Sequence, residues 1–212
     1  MDRFDSITLR KNMISLLEQM GIKDKLVLDA MGKVERHLFV SAGGRFKSLN
    51  DPYGDYPLPI GFGQTISQPF IVAYMLEKLE LAAGEKVLEI GAGSGYVAAV
   101  LDEMGVEVFT VELIEQLAVE AGKLLGESVH IRTGDGYAGW PEHAPFDAIV
   151  VSCAPESIPE ALIQQLTGNG RMILPVGTIH QRLVRVVRKG GEIELHSDLA
   201  VRFVPMVHQE GY

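Results

Sequence analysis

Lys86-Val87-Leu88-Glu89-Ile90-Gly91-Ala92-Gly93-Ser94-Gly95 is the stretch on which the reading of the fold turns. Lys86 to Ile90 is a short, mainly apolar run of the length of a buried strand. The glycines at 91, 93 and 95 end it, and Ser94 to Met104 then shows helical spacing of its apolar residues. Strand, glycine-rich turn and helix form the opening unit of an α/β sheet, where ligands bind beyond the carboxyl ends of the strands. Glycine there lets the backbone approach a ligand closely and accept positive φ without steric cost.

Downstream the alternation continues. Strands are expected at Glu107–Glu112, Val129–Thr133, Phe146–Ser152 and Arg171–Pro175, with helices at Ile114–Leu125 and Ile158–Leu166. Such alternation predicts a parallel sheet covered on both faces. Two more strands are expected near Gln181–Arg188 and Leu199–Val204. Upstream, apolar spacing predicts helices over Asp5–Met20, Lys23–Met31 and Gln68–Leu79, with Pro69 suited to a first helical turn. Between them Ser41–Ile66 has no sustained period, and a loop of that length inside a compact domain is commonly functional. Phe46, Tyr53, Tyr56 and Phe62 predict that it is packed. The expected organisation is one domain over 1–212: a helical segment to residue 80, then a ligand-binding core from 81 to 212.

Three strand ends carry the chemistry. At the first, the glycine spacing departs from the G-x-G-x-x-G of dinucleotide sites, because the third glycine comes one residue early and Tyr96 fills its usual place. Glu89 beside the loop sets a negative charge where a pyrophosphate would lie, but suits a ligand with an ammonium and a sulfonium, such as S-adenosylmethionine. A P-loop is excluded, since no Gly-Lys-Ser/Thr follows. A serine-hydrolase elbow fails as well, since Ala92 and Tyr96 flank Ser94 where glycines belong. At the second strand end, Glu112 has the offset of an acid that binds ribose hydroxyls. At the third, Gly134-Asp135-Gly136 sets an acid between glycines, able to approach a base and accept from its amine. Taken alone each is an ordinary turn or a surface acid; in succession they define a nucleoside pocket.

Composition bounds the function. The 212 residues are 47% hydrophobic with a formal net charge of -9. This disfavours nucleic acid, which needs a concentrated basic surface. Arg182, Arg185, Arg188 and Lys189 alternate with apolar residues and read as a strand's solvent face. Met1–Lys11 carries no apolar signal core, and no apolar run approaches the roughly 18 residues of a membrane span. The single cysteine, Cys153, fits a reducing compartment and, as a residue, a small buried filler. A cytoplasmic protein without membrane partners is expected. The six histidines show no metal-ligand spacing, and no metal is expected.

Longer motifs now add a resemblance. Tyr53–Leu58 and Pro59-Ile60-Gly61-Phe62-Gly63-Gln64-Thr65-Ile66-Ser67-Gln68-Pro69, the Val87–Tyr96 run, Gly134–Trp140 with Ala144–Ile149, Gly170–Gly177 and Arg202–Pro205 together resemble the protein-L-isoaspartate O-methyltransferase family over nearly the whole chain. Val34-Glu35-Arg36, where the family usually has Val-Pro-Arg, Ser152-Cys153 and Asn169 depart from its pattern.

The resemblance implies a Rossmann-like class I methyltransferase with an N-terminal helical extension and antiparallel C-terminal strands. It implies transfer of a methyl group from S-adenosylmethionine to the free α-carboxylate of isoaspartyl residues in damaged proteins and peptides, whose ester then closes to a succinimide. The cofactor set is Glu89, Gly91, Ala92, Gly93, Glu112, Leu113, Asp135 and Gly136. The substrate set is Gln64, Thr65, Ile66 and Ser67, with the family's active-site role falling on Ser67 as an orienting residue. Ser67 also reads as a cap for the helix that starts near Pro69. A substrate carboxylate, with a pKa of about 3.3 to 3.7, is ionised at neutral pH, so no catalytic histidine is expected. A monomer is expected. Methylation of another carboxylate or of RNA, and a non-catalytic cofactor-binding module, stand as the alternatives.

Overall fold

The computed structural model describes residues 3–40 and 51–208. Its centre is a seven-stranded sheet built on β3 (Lys86–Ile90). To one side lie β4 (Glu107–Glu112) and β5 (Val129–Thr133); to the other lie β6 (Phe146–Val151), β7 (Leu166–Val176), β8 (Gln181–Lys189) and β9 (Glu192–Val201). Strands β3 to β7 pair in parallel, and β8 and β9 are antiparallel. The chain first moves outward through β4 and β5, then returns to the far side of β3 with β6. That reversal opens a crevice at the strand ends of β3 and β6, the place where such sheets bind ligands.

The strands are apolar along most of their length because both faces are covered. Val87, Val108, Ala148, Val150 and Ile173 face one core with the long helices α1 (Arg3–Gln19), α2 (Lys25–Lys33) and α3 (Pro69–Leu79). The same core takes residues of α4 (Tyr96–Glu103) and α5 (Glu115–Leu124). Leu88, Ile90, Phe109, Ile149 and Met172 face the other, closed by the short α6 (Glu160–Gln164), Trp140 and Met206. Helix α2 starts where Asp24 Oδ1 accepts from the amides of Leu26 (2.8 Å) and Val27 (3.4 Å), satisfying first-turn donors. Arg171 fixes α3 to the sheet: its guanidinium forks onto Glu85 at 2.7 and 2.6 Å and also donates to the carbonyls of Leu79 and Glu80 at the end of α3.

Several boundaries differ from the sequence expectations. The stretch expected as a loop to Ile66 holds a hairpin, β1 (Leu58–Gly61) with β2 (Gln64–Ile66), after a 3-10 turn at Asp51–Tyr53. Residues 41–50 of that loop, Phe46 among them, lie outside the described residues. Strand β7 begins at Leu166 rather than Arg171, and α6 ends at Gln164, because Gly168-Asn169-Gly170 is carried into the strand instead of breaking it. The last strand runs over Glu192–Val201, not Leu199–Val204, and turns from β8 through Gly190 and Gly191 at φ 57° and 97°. Positive φ at both central residues gives the two-residue hairpin turn that matches strand twist.

Candidate active site

Turn residues Gly91 to Gly95 hold the site's first wall. Gly91 N donates to Val111 O at 2.8 Å, tying the turn to the end of β4. Gly93 N donates to Glu112 Oε2 at 2.7 Å, while Glu112 Oε1 accepts from Ile114 N at 2.9 Å. Glu112 therefore spends one acceptor site of each oxygen on the backbone. A carboxylate offers about four such sites, so two remain for a pair of ligand hydroxyls.

Glu89 is 1% exposed, accepts from Thr110 Oγ1 at 2.7 Å through Oε2, and leaves Oε1 without a partner. Burial pushes its pKa up to about 8, with the charge of Glu112 adding to the shift and the Thr110 bond opposing it. Burial alone favours the neutral acid, whereas a cationic group entering the cleft beside the unpaired oxygen would favour the carboxylate.

The cleft has a volume of about 820 Å³ counting its open mouth, the scale of a nucleoside-sized ligand. It is lined on one side by Glu89, Gly91, Ala92, Gly93, Glu112 and Leu113, and on the other by Gln64, Thr65, Ile66 and Ser67. The two residue groups read from the sequence thus share one cavity, except at Asp135. Gly136 lines the cleft, but Asp135 does not. Asp135 Oδ1 accepts from Tyr137 N at 2.9 Å, and Oδ2 lies 2.9 Å from His208 Nδ1. The His208 ring stacks on Tyr137 with centroids 4.1 Å apart. At Gly136 a Cβ would stand 2.5 Å from Ile90 Cγ2 and 3.1 Å from Met206 Cε, so only glycine leaves the floor open there.

On the opposite wall, Ile66 is 5% exposed and packs into the core while also lining the cleft. Ser67 does not cap α3; the first-turn amide of Phe70 is taken by Asp55 Oδ1 at 2.7 Å. Ser67 O instead accepts from the guanidinium of Arg36 at 2.7 Å.

Sequence reasoning gave no role to the segment Val204–Val207, which closes the cleft. It is held by Ala154 N donating to Val204 O and Met206 N to Ala154 O, both at 2.8 Å. The Arg202–Pro205 motif was its signal. Cys153 also lines the cleft, and burial, reinforced by Glu112 and Glu89, pushes its thiol up to about 12. It is a neutral thiol at neutral pH, and it stands half-buried on the cleft wall rather than as the buried filler expected. Among the described residues no group of histidine, cysteine and acidic side chains is placed to hold a metal.

A doubly covered parallel sheet, a glycine turn and an acid at the next strand end, all opening on one nucleoside-sized cleft at the sheet's reversal point, define a class I methyltransferase. The chain matches the model of the protein-L-isoaspartate(D-aspartate) O-methyltransferase family over residues 8–211, and it belongs to that family. It is 54% identical over 200 residues to the protein-L-isoaspartate O-methyltransferase of Gloeobacter violaceus, covering 92% of this chain and 96% of that protein. It is 50% identical to protein-L-isoaspartate O-methyltransferase 2 of Shewanella sediminis, covering 93% and 82% of the two chains.

Among solved structures, one protein-L-isoaspartate O-methyltransferase superimposes with a TM-score of 0.84 at 28% identity; this chain covers 66% of its length and 94% of its own. A putative member from Plasmodium falciparum, in complex with S-adenosyl-L-homocysteine, superimposes with a TM-score of 0.80 at 26% identity, over 93% of this chain and 98% of that one. The buried Glu89 oxygen and the Gly136 cradle fit a ligand of that kind, an amino acid with a free ammonium joined to a nucleoside.

Proposed function

We propose that the chain transfers a methyl group from S-adenosylmethionine to the free α-carboxylate of L-isoaspartyl residues in proteins and peptides, which starts their repair through a succinimide. The observation that supports this most is the single cleft lined by both the Gly91–Gly93 turn and the Gln64–Ser67 segment.

When bound, S-adenosylmethionine supplies an electrophilic methyl on a positively charged sulfur. Glu89 would receive the cofactor's ammonium and Glu112 its ribose hydroxyls, while Gly91, Ala92, Gly93, Leu113 and Gly136 would give it close backbone passage. Asp135, outside the cleft and held by His208, would accept from the adenine amine only with that contact opened. On the substrate side the carboxylate needs no base, being ionised already. What it needs is alignment and partial loss of water. Thr65, Ser67 and nearby amides hold it, with Gln64 and Ile66 shaping the approach. Ser67 orients and forms no covalent intermediate. The protein acts as a single-domain monomer in the cytoplasm, on polypeptides and not on nucleic acid or membranes. Among the described residues no helix is long and apolar enough to cross a membrane.

A radiolabelled transfer assay on two peptides of one sequence, one isoaspartyl and one aspartyl, tests the reading. Label is expected on the first only, and equal or absent label on both refutes it. In single turnover, Ser67→Ala is expected to slow transfer about tenfold to a hundredfold. An unchanged rate together with unchanged peptide affinity ends the orienting role.

A further inference from the structure

Arg36 is 0% exposed, and among the described side chains none forms an ion pair with it; the carboxylate of Asp55 acts on it only from farther off. Its Nε donates to Pro52 O and its Nη2 to Ser67 O, each at 2.7 Å, and Nη1 has no partner. Its Cζ sits 4.8 Å from the centre of the Tyr96 ring, and Tyr96 lines the cleft. Arginine keeps its charge even when desolvated. A buried charge with no counter-ion in contact is costly, and Asp55 offsets it only at a distance while accepting from Phe70 N and Gln68 Nε2, so a second anion in the cleft would balance it further.

The place of the charge is informative. Ser67 lies on the wall of the cleft that receives the substrate, whereas Arg36 does not line the cleft and lies behind that wall. A loop that holds an anion must offer it N–H and O–H groups and keep carbonyl oxygens away. The bond to Arg36 turns Ser67 O to the rear.

We propose that Arg36 is a positioning residue for the substrate carboxylate: stapled to the back of Ser67, it withdraws that carbonyl from the anion and supplies the fixed positive charge that balances it. The inference rests on the reading that Gln64–Ser67 holds a carboxylate. It gives an acidic chain, at -9 overall, a local means of preferring an anionic substrate.

The test compares two peptides that differ only at the isoaspartyl residue, one with its free α-carboxylate and one with the α-carboxamide. Dissociation constants are measured with S-adenosylhomocysteine bound, in wild type, Arg36→Met and Arg36→Lys. Wild type is expected to prefer the carboxylate by at least about tenfold. Arg36→Met is expected to lose most of that ratio while binding S-adenosylhomocysteine as before. Arg36→Lys keeps the charge and is expected to keep the ratio within about threefold, even with both peptides bound more weakly. Loss of packing alone weakens both peptides alike and leaves the ratio unmoved. A wild-type ratio preserved in a folded Arg36→Met protein overturns the proposal. If that variant does not fold, collapse of the ratio in Arg36→Lys overturns it. Failure of the wild type to methylate any isoaspartyl peptide is a separate result, one that removes the reading beneath it.

Discussion

Cofactor binding is expected to expel a proton from Glu89. In the ligand-free protein this carboxyl is buried and pushed up to about 8. At pH 7 it is therefore protonated in about nine molecules of ten. The cofactor's ammonium, arriving at the unpartnered Oε1, favours the ionised form. Binding at pH 7 should release about 0.9 proton, and affinity should gain about tenfold between pH 6 and pH 7 before levelling above pH 8. Calorimetric titration with S-adenosylhomocysteine, in two buffers of different ionisation enthalpy, counts the protons directly. Glu89→Gln is isosteric, cannot ionise, and should release none. Zero release in the wild type at pH 7, or the same release in the variant, refutes the reasoning.

The same shift fixes the stability of the ligand-free protein. Glu89's folded pKa lies above its ordinary 4.5, so between 4.5 and about 8 the folded state holds more protons than the unfolded. The contribution of Glu89 is thus intact below about pH 4.5 and is lost as pH rises through about 8, amounting in the limit to roughly 5 kcal/mol. S-adenosylhomocysteine should raise the melting temperature more at pH 8 than at pH 6, and Glu89→Gln should flatten that difference.

Two further substitutions bear on the same wall. Glu112→Gln leaves one acceptor for the amides of Gly93 and Ile114 and turns an N–H₂ at the other; a stability loss of about 2–3 kcal/mol by denaturant titration and at least a tenfold loss of cofactor affinity are expected. Unchanged affinity in a folded variant removes the ribose role of Glu112. Gly136→Ala sets a Cβ 2.5 Å from Ile90 Cγ2 without backbone strain, since its φ is not positive. Overpacking should cost about 1–3 kcal/mol and weaken S-adenosylhomocysteine measurably in calorimetry; wild-type values for both show the floor to be soft.

What the sequence made legible was what depends on neighbours in the chain. Val87, Leu88 and Ile90 are apolar in keeping with the covered faces of β3, and the glycines follow at once, so strand, turn and helix could be read together. Glu112 was legible from its place at a strand end. The hairpin of β1 and β2 was not: its strands have four and three residues, one holding Pro59, too short for any period to show. Strand β9 was placed too late, at Leu199–Val204, because it is an edge strand solvated along most of its length, and its apolar alternation at Ile193 and Leu195 is too short to stand out. The type of Asp135 was legible, but its partner is His208, 73 residues on. Arg36 entered the sequence reading only as part of Val34-Glu35-Arg36, and its burial was not legible because the carbonyls that bind it come from Pro52 and Ser67, 16 and 31 residues away.

Net charge also proved a poor guide to the site, for a reason visible in its walls. Glu112, joined by Glu89 once a bound ammonium ionises it, supplies the only charge lining the cleft among the described residues, and both stand on the β3–β4 side. The Gln64–Ser67 wall is neutral and polar, with the guanidinium of Arg36 behind it. The potential therefore runs from negative to positive across a single cavity, independent of the -9 spread over the surface. A ligand bearing an ammonium and a sulfonium is drawn to one side and an anion is tolerated on the other, so that donor and acceptor meet in one order only. Surface charges farther off than a Debye length of about 10 Å are screened by salt, whereas these buried groups are not. Transfer by this arrangement should accordingly depend little on ionic strength, unlike an encounter steered by the surface field.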